Sequence, residues 1–233
     1  MYRISGINNY PVHPVYPVLI SLQEQMEWFS TLSLALGSAW TSGINLYATV
    51  TVLGLIEKFG FAKLPGGLDV LNNWWIIGIA GGLYIVEFFA DKIPYVDSVW
   101  DVIHTFIRIP AGAVVAYGAT NHLDSSIYVP AILLGGGLAL ASHGTKAAAR
   151  IGANLSPEPV TNWTLSFLED GIAIVGVILA VFAPMVIAVV LGIFVILFIW
   201  FAPKVFRALR RLFAAIAGFF RGDSFAEVAK KAG

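Results

Sequence analysis

Between Tyr84 and Arg108 the chain carries Glu87, Asp91, Lys92, Asp97, Asp101, His104 and Arg108 inside otherwise apolar sequence. Side chains three and four apart share a helix face. Asp97, Asp101, His104 and Arg108 are spaced four, three and four, so one helix presents all of them along one side over about three turns. Glu87 and Asp91 share a face just before them, across a hairpin marked by Pro94. Farther along, His143, Lys146 and Arg150 repeat the pattern, and Glu169-Asp170 stand inside a later apolar run. Carboxylates with imidazoles suit two chemistries. They hold hard or borderline divalent cations such as Mg, Mn or Zn, and they relay protons in coupled transport. They also have a structural use. Six acids (Glu87, Asp91, Asp97, Asp101, Glu169, Asp170) face four bases (Lys92, Arg108, Lys146, Arg150), and a salt-bridge network among them would lock helix register.

The surroundings set the class. Of 233 residues, 58% are hydrophobic and 12% are charged, about half the ~25% charged share of a soluble domain. Several apolar runs approach the ~20 residues that span a bilayer. The chain therefore reads as an all-α polytopic membrane protein with about six crossings. Acids and bases balance at 14 each, which leaves no electrostatic case for nucleic acid. Without cysteine there are no disulfides, thiolate metal sites or cysteine nucleophiles, and the compartment stays open. No Gly-rich phosphate loop, HExxH pair or GxSxG elbow occurs, so no enzyme is expected. Residues 1–17 hold Pro11, Pro14 and Pro17 rather than the charged start and apolar core of a removable signal.

The elements that must position the charges follow from hydrophobic periodicity. Residues 1–28 read as an extended lead-in and an interfacial helix, with Val18, Leu19, Leu22 and Met26 opposite Gln23, Glu24 and Glu27. Residues 29–202 read as the membrane domain. Its first segment, about 29–56, is interrupted around Trp40–Asn45. Glycine beside Ser and Asn at that depth reads as a backbone break at Gly43 and Asn45 facing a cavity, or as a kinked helix with a small-residue contact. Segment two, 73–89, opens on an interfacial Trp74-Trp75 pair and carries Gly78 and Gly82 at the spacing of a close helix contact. Asp97 is placed to cap segment three, 98–117. Segments four (129–151), five (163–182) and six (185–201) follow, the last two separated by Pro184. His122, in an outer turn, reads as a surface residue. Residues 203–233 read as a cytoplasmic amphipathic helix and tail. Lys204, Arg207, Arg210 and Arg211 lie off its apolar stripe, a pattern that binds anionic lipid.

With that tail inside, six crossings put both termini in the cytoplasm, along with Lys92 and the Lys146–Arg150 end. Ser42-Gly43-Ile44-Asn45 matches His143-Gly144-Thr145-Lys146, and Asn73-Trp74 matches Asn162-Trp163. These matches suggest two inverted halves of three helices. Glycine-rich faces make a homo-oligomer a further expectation.

Four stretches carry a resemblance: Ser42-Gly43-Ile44-Asn45-Leu46-Tyr47; Glu87-x3-Asp91-Lys92-Ile93-Pro94-x2-Asp97-x3-Asp101; Lys146-x3-Arg150; and Ser156-Pro157-Glu158-Pro159-x2-Asn162-x3-Ser166-x2-Glu169-Asp170. Over about residues 30–200 the chain resembles a bacterial family of small integral membrane proteins of unknown function. The resemblance implies an integral location, in the bacterial inner membrane, and lends no residue a role. The expectation is a transporter or channel for a small solute or cation. Its ion site would draw on Glu87, Asp91, Asp97, Asp101, His104, His143, Glu169 and Asp170. The alternative is a scaffold that organises lipids or partner proteins.

Overall fold

In the structure of this protein, a computed structural model, residues 15–93, 96–154 and 159–221 are described, apart from the side chains of 15–21, 98, 154, 159, 208–209 and 211–221. The lead-in 1–14, the hairpin tip at Pro94, Ser156 to Glu158, the Arg211 side chain and the tail from Gly222 lie outside the described residues.

Among the described residues there are seven α-helices and no strand. They are α1 Val15–Ile44, α2 Leu46–Lys58, α3 Trp74–Ala90, α4 Val96–Thr120, α5 Ser125–Asn154, α6 Pro159–Phe182 and α7 Pro184–Arg221, with a 3-10 stretch at Gly66–Asn72. Short polar residues start the helices after turns. Asn73 accepts the Trp75 N–H at 2.8 Å, and Asp124 accepts the Ser126 N–H at 2.9 Å, which holds the Asp124 carboxyl below the usual carboxylate range. Helices α4 to α7 are each long and apolar enough to cross a membrane; counting the 3-10 stretch with α3, which meet at 76°, there are five. The outside is apolar, and the inside holds the charged side chains beside a hydrophobic core around Leu34, Leu53, Val177 and Ile187. Phe106 is 79% and Leu133 73% exposed, while Arg108 and Arg150 are buried. That distribution suits hydrocarbon surroundings.

The second half of α1 is the centre of the bundle. From Ser33 to Ile44 every residue but Leu36 is buried, against α4, α5, α6 and α7. It fits because Ala35, Gly37, Ser38, Ala39, Ser42 and Gly43 are small. A Cβ on Gly43 would strike Ser142 and the Ala139 backbone of α5, and one on Gly112 would strike Ala139. Buried hydroxyls turn to backbone carbonyls: Thr41 donates to Ser38 at 3.0 Å, Ser42 to Ala39 at 2.7 Å and Ser142 to Trp40 at 2.7 Å.

The 29–56 segment is not one continuous helix; it turns back at Asn45. Ser42 lies by Gly112 and the Gly43 carbonyl accepts Arg108 at 3.3 Å, while Ala39 and Ala116 flank Gly135, so α1 runs opposite to α4. After Asn45, Tyr47 meets His104 at 2.9 Å and Gly66 rests against Gly118, near the far end of α4. Helices α1 and α2 are thus the arms of a V. Its tip is Asn45, in extended backbone (φ −146°, ψ 100°), whose side chain accepts the Ala48 N–H at 2.9 Å. A second reversal lies at Ala183-Pro184, because Gly37 packs against both Ala180 and Ile187.

Four further expectations change. The 18–26 stretch is continuous with α1 rather than a separate interfacial helix, and α7 runs on through Pro203 at the cost of one backbone bond. A Cβ on Gly78 or Gly82 would meet nothing within 4 Å, so this pair makes no close contact among the described residues. Helix α5 runs unbroken through His143–Lys146, and Asn162 lies inside α6 where Asn73 caps α3.

Packing at Gly43 generates a contrast. Gly43→Ala should destabilise the protein by about 1–3 kcal/mol, the usual cost of overpacking. Gly78→Ala and Gly82→Ala should be neutral or stabilising by up to about 1 kcal/mol. Thermal unfolding in detergent checks both; a Gly43→Ala melt equal to that of Gly78→Ala would contradict the close approach.

Candidate functional site

Four helices and the tip of the V converge on one buried cluster. The end of α3 supplies Glu87 and, one step beyond, Asp91; the first half of α4 supplies Asp97, Asp101 and Arg108. Helix α5 contributes His143, Lys146 and Arg150, α6 contributes Glu169 and Asp170, and all of these are buried. The 3–4 spacing turns each set inward on its own helix. Lys146 is the hub. Its ammonium lies 2.8 Å from Asp91, 3.3 Å from Glu87, 3.7 Å from Glu169 and 3.8 Å from Asp101. Arg150 grips Glu169 with Nε, 3.2 Å from both carboxylate oxygens, and with Nη2. It also reaches Asp91 at 3.2 Å and Asp97 at 3.8 Å, so Asp97 sits in the first turn of α4 facing Arg150. Arg108 pairs with Glu87 through Nη2 and stands 3.5 Å from Asp101 through Nη1.

His143 is a neutral link. His143 Nε2 faces the Asp101 carbonyl at 3.1 Å, so that nitrogen carries the proton, and Nδ1 accepts from Arg108 at 3.1 Å. Thr105 completes the link, meeting His143 Nε2 at 2.8 Å and donating to the Asp101 carbonyl at 2.9 Å. His104 is not among the ion pairs. Its Nδ1 donates to the Trp100 carbonyl at 2.8 Å and Nε2 hydrogen-bonds with the Tyr47 hydroxyl at 2.9 Å, with the Trp100 ring stacked 4.5 Å away.

Asn45 joins the V to the cluster, donating to Asp170 at 2.9 Å. At a helix break the last carbonyls and first N–H groups lose partners. Here Arg108 takes the Gly43 carbonyl and the Asn45 side chain takes an N–H of α2, while Gly43 itself stays helical. Lys92 stands beside the cluster. Its ammonium covers the Phe88 ring at 3.0 Å and donates to the Phe88 carbonyl at 2.9 Å and to Ser166 at 3.3 Å. Burial lowers the Lys92 pKa from its ordinary value, with Asp170 and Asp91 pulling it back up. Lys204, Arg207 and Arg210 lie exposed on α7, Lys204 over the Trp200 ring at 2.9 Å. His122 is exposed in its turn.

Sequence reasoning missed Tyr47, Trp100 and Thr105. Trp100 and His104 are four apart on one helix, a legible signal; Tyr47 needed knowledge of the reversal at Asn45. Among the described residues no three acids or histidines meet in a group able to hold a metal ion. The reason is Lys146: its ammonium fills the position between carboxylates that a cation would take. Among the described residues the ion pairs join five carboxylates (Glu87, Asp91, Asp97, Asp101, Glu169) to three cations. Oxygens of Glu87, Asp91, Asp170 and both of Asp101 are buried without a hydrogen bond.

These features define an all-helical protein, with four to five helices apolar enough to cross a membrane, around a buried ion-pair cluster. The chain belongs to the family described as Domain of unknown function (DUF4126), which matches residues 32–204. No curated protein and no solved structure matches it.

The geometry separates two carboxylates. Glu87→Gln removes the close partner of Arg108 and one of Lys146, and should cost about 3–5 kcal/mol, as when a buried pair is broken. Asp101→Asn leaves Arg108 with Glu87 and Lys146 with Asp91, so it should change stability by no more than about 1 kcal/mol. Thermal melts of the two purified variants decide it, and the reverse order would show that Asp101 holds the cluster together.

Proposed function

We propose that this protein is a transporter or channel for a small solute or cation, with the buried cluster as its proton- or cation-binding site and no enzymatic activity. Asp101 carries the reading. It is 3% exposed, neither oxygen has a hydrogen bond, and both neighbouring cations have closer partners. A buried carboxylate in that position is neutralised most readily by a mobile proton or cation. Lys146 already occupies the centre of the carboxylates, which favours protons or monovalent ions over a resident divalent metal.

The topology that goes with this reading has five crossings, α3 to α7, with the V of α1 and α2 entering and leaving on one side. The exposed Lys204, Arg207 and Arg210 support a tail on the cytoplasmic face of a bacterial inner membrane, against anionic lipid, with Arg211 beside them in sequence. Losing the first crossing moves the N-terminal end of α1 to the other face, so the termini lie on opposite sides instead of both inside. The two matched stretches supply the support for inverted halves: Gly43 packs on Ser142, and Arg108 bridges the Gly43 carbonyl and His143. The open Gly78–Gly82 face of α3 supports a homo-oligomer. A scaffold is the second reading, favoured by the close pairing of Arg108, Lys146 and Arg150.

Two experiments test the proposal. In liposomes, wild-type protein should carry a proton- or cation-dependent flux that Asp101→Asn reduces at least tenfold while melting normally. No wild-type flux across protons, monovalent and divalent cations would leave the scaffold. For topology, single cysteines replacing Gln25 and Ser125 should label from one face and a cysteine at Gly222 from the other; labelling of position 25 together with 222 restores six crossings.

A further inference from the structure

At the end of α1 away from the cluster, a cleft of about 690 Å³ opens between α1, residues 62–65, the α4–α5 turn and the α6–α7 reversal. Glu24 and Glu27 stand exposed in its wall, with Lys63 and His122 across from them. Thr31 and Leu34 lead downward, and below Leu34 the helix is buried almost throughout. Thr31, Ser38 and Ser42 are spaced seven and four, which sets them in one stripe of α1 that continues to Asn45 just past the helix end. Thr31 lines the cleft, and Asn45 holds Asp170. At 1.5 Å per residue the stripe is about 21 Å long.

Ser38 lies at its middle. It is fully buried, yet its Oγ has no hydrogen-bond partner. An unsatisfied buried hydroxyl is destabilising, and here packing would have accepted alanine, which α1 uses at positions 35 and 39. One turn farther, Ser42 donates its proton to the Ala39 carbonyl, which leaves oxygen lone pairs free. The stripe offers neutral oxygens and no charge between the cleft and Asp170. Such a lining suits a weakly hydrated monovalent ion or a proton on water, since small divalent ions give up their water reluctantly.

Resting on the transport reading, we propose that the cleft is the entrance for a monovalent cation, hydronium included, and that the hydroxyl stripe of α1 leads it past Ser38 to Asn45 and Asp170. The V shape supplies the route: α1 enters from the cleft side and ends, at its tip, against the cluster. The two acids in the cleft wall favour cations at the mouth.

The chain has no cysteine, so Thr31→Cys and Ser38→Cys each carry a single thiol. In proteoliposomes both should react from the cleft side with a membrane-impermeant ammonium thiosulfonate, and at least tenfold more slowly with the sulfonate analogue. Ser38→Ala, which breaks no side-chain hydrogen bond, should melt at or above the wild-type temperature and lose at least tenfold in flux. A silent Ser38→Cys beside a reactive Thr31→Cys overturns the route. So does equal reaction with both reagents, or a Ser38→Ala protein with full flux. In those cases the loss of flux in Asp101→Asn stands. Absence of any wild-type flux strikes the transport reading itself, so the two failures are distinguishable.

Discussion

A charge buried in an apolar bundle needs a partner close at hand, and that requirement sets the register of the helices at one end of this molecule. Lys146 draws in carboxylates from α3, α4 and α6, while Arg150 ties Glu169 to the residues that flank the α3–α4 connection. Rotating any of these helices by one residue, about 100°, would strand an ion in a low-dielectric interior. Each helix face is therefore chosen by charge, and the apolar residues left over face outward. The exposed Phe106 and Leu133 follow from the burial of Arg108 and Arg150 as much as from their own hydrophobicity.

The second constraint is volume. Helix α1 enters the bundle because its inward residues are small, and the backbones of α1, α4 and α5 approach at Gly43, Gly112 and Gly135. The two constraints depend on each other. Arg108 reaches the Gly43 carbonyl because no side chain at 43 keeps α1 away, and that carbonyl lies at a helix end that needs a donor. A broken helix in an apolar interior is tolerable when neighbours satisfy its free groups. Here one arginine serves both an ion pair and a helix end.

Polar groups left unsatisfied are informative against such thorough pairing. They include carboxylate oxygens around Asp101, the Ser38 hydroxyl on the central stripe, the Thr51 hydroxyl on α2, and the indole nitrogens of Trp40 and Trp100. Ser38, Trp40 and Thr51 lie on the V of α1 and α2, the element with a backbone break. Bundles that only need to hold together gain by filling such sites with apolar residues. Their retention here is consistent with the transport site we propose at the tip of the V.

Much of this was legible from residue order. Low charge and long apolar runs decide an all-helical protein with a lipid-compatible surface, because every backbone group must be paired without water. Spacings of three and four decide which acids, bases and histidines share a face, since that follows from helix geometry alone. Other features were not. Residues 29–56 have the same apolar character whether the chain crosses or doubles back; the choice depends on Arg108, Asp170 and the small residues of α5 meeting Asn45 and Gly43. The glycine pair 78 and 82 and the glycines at 43, 112 and 135 are the same residue type, and only the packing partners tell an open face from a close one. Lys92 and Lys146 carry the same charge, yet one caps an aromatic ring and the other fills the centre of the carboxylates. Periodicity belongs to a single helix. Which helix lies opposite is a property of the whole chain, settled by contacts between residues as far apart as 45 and 170.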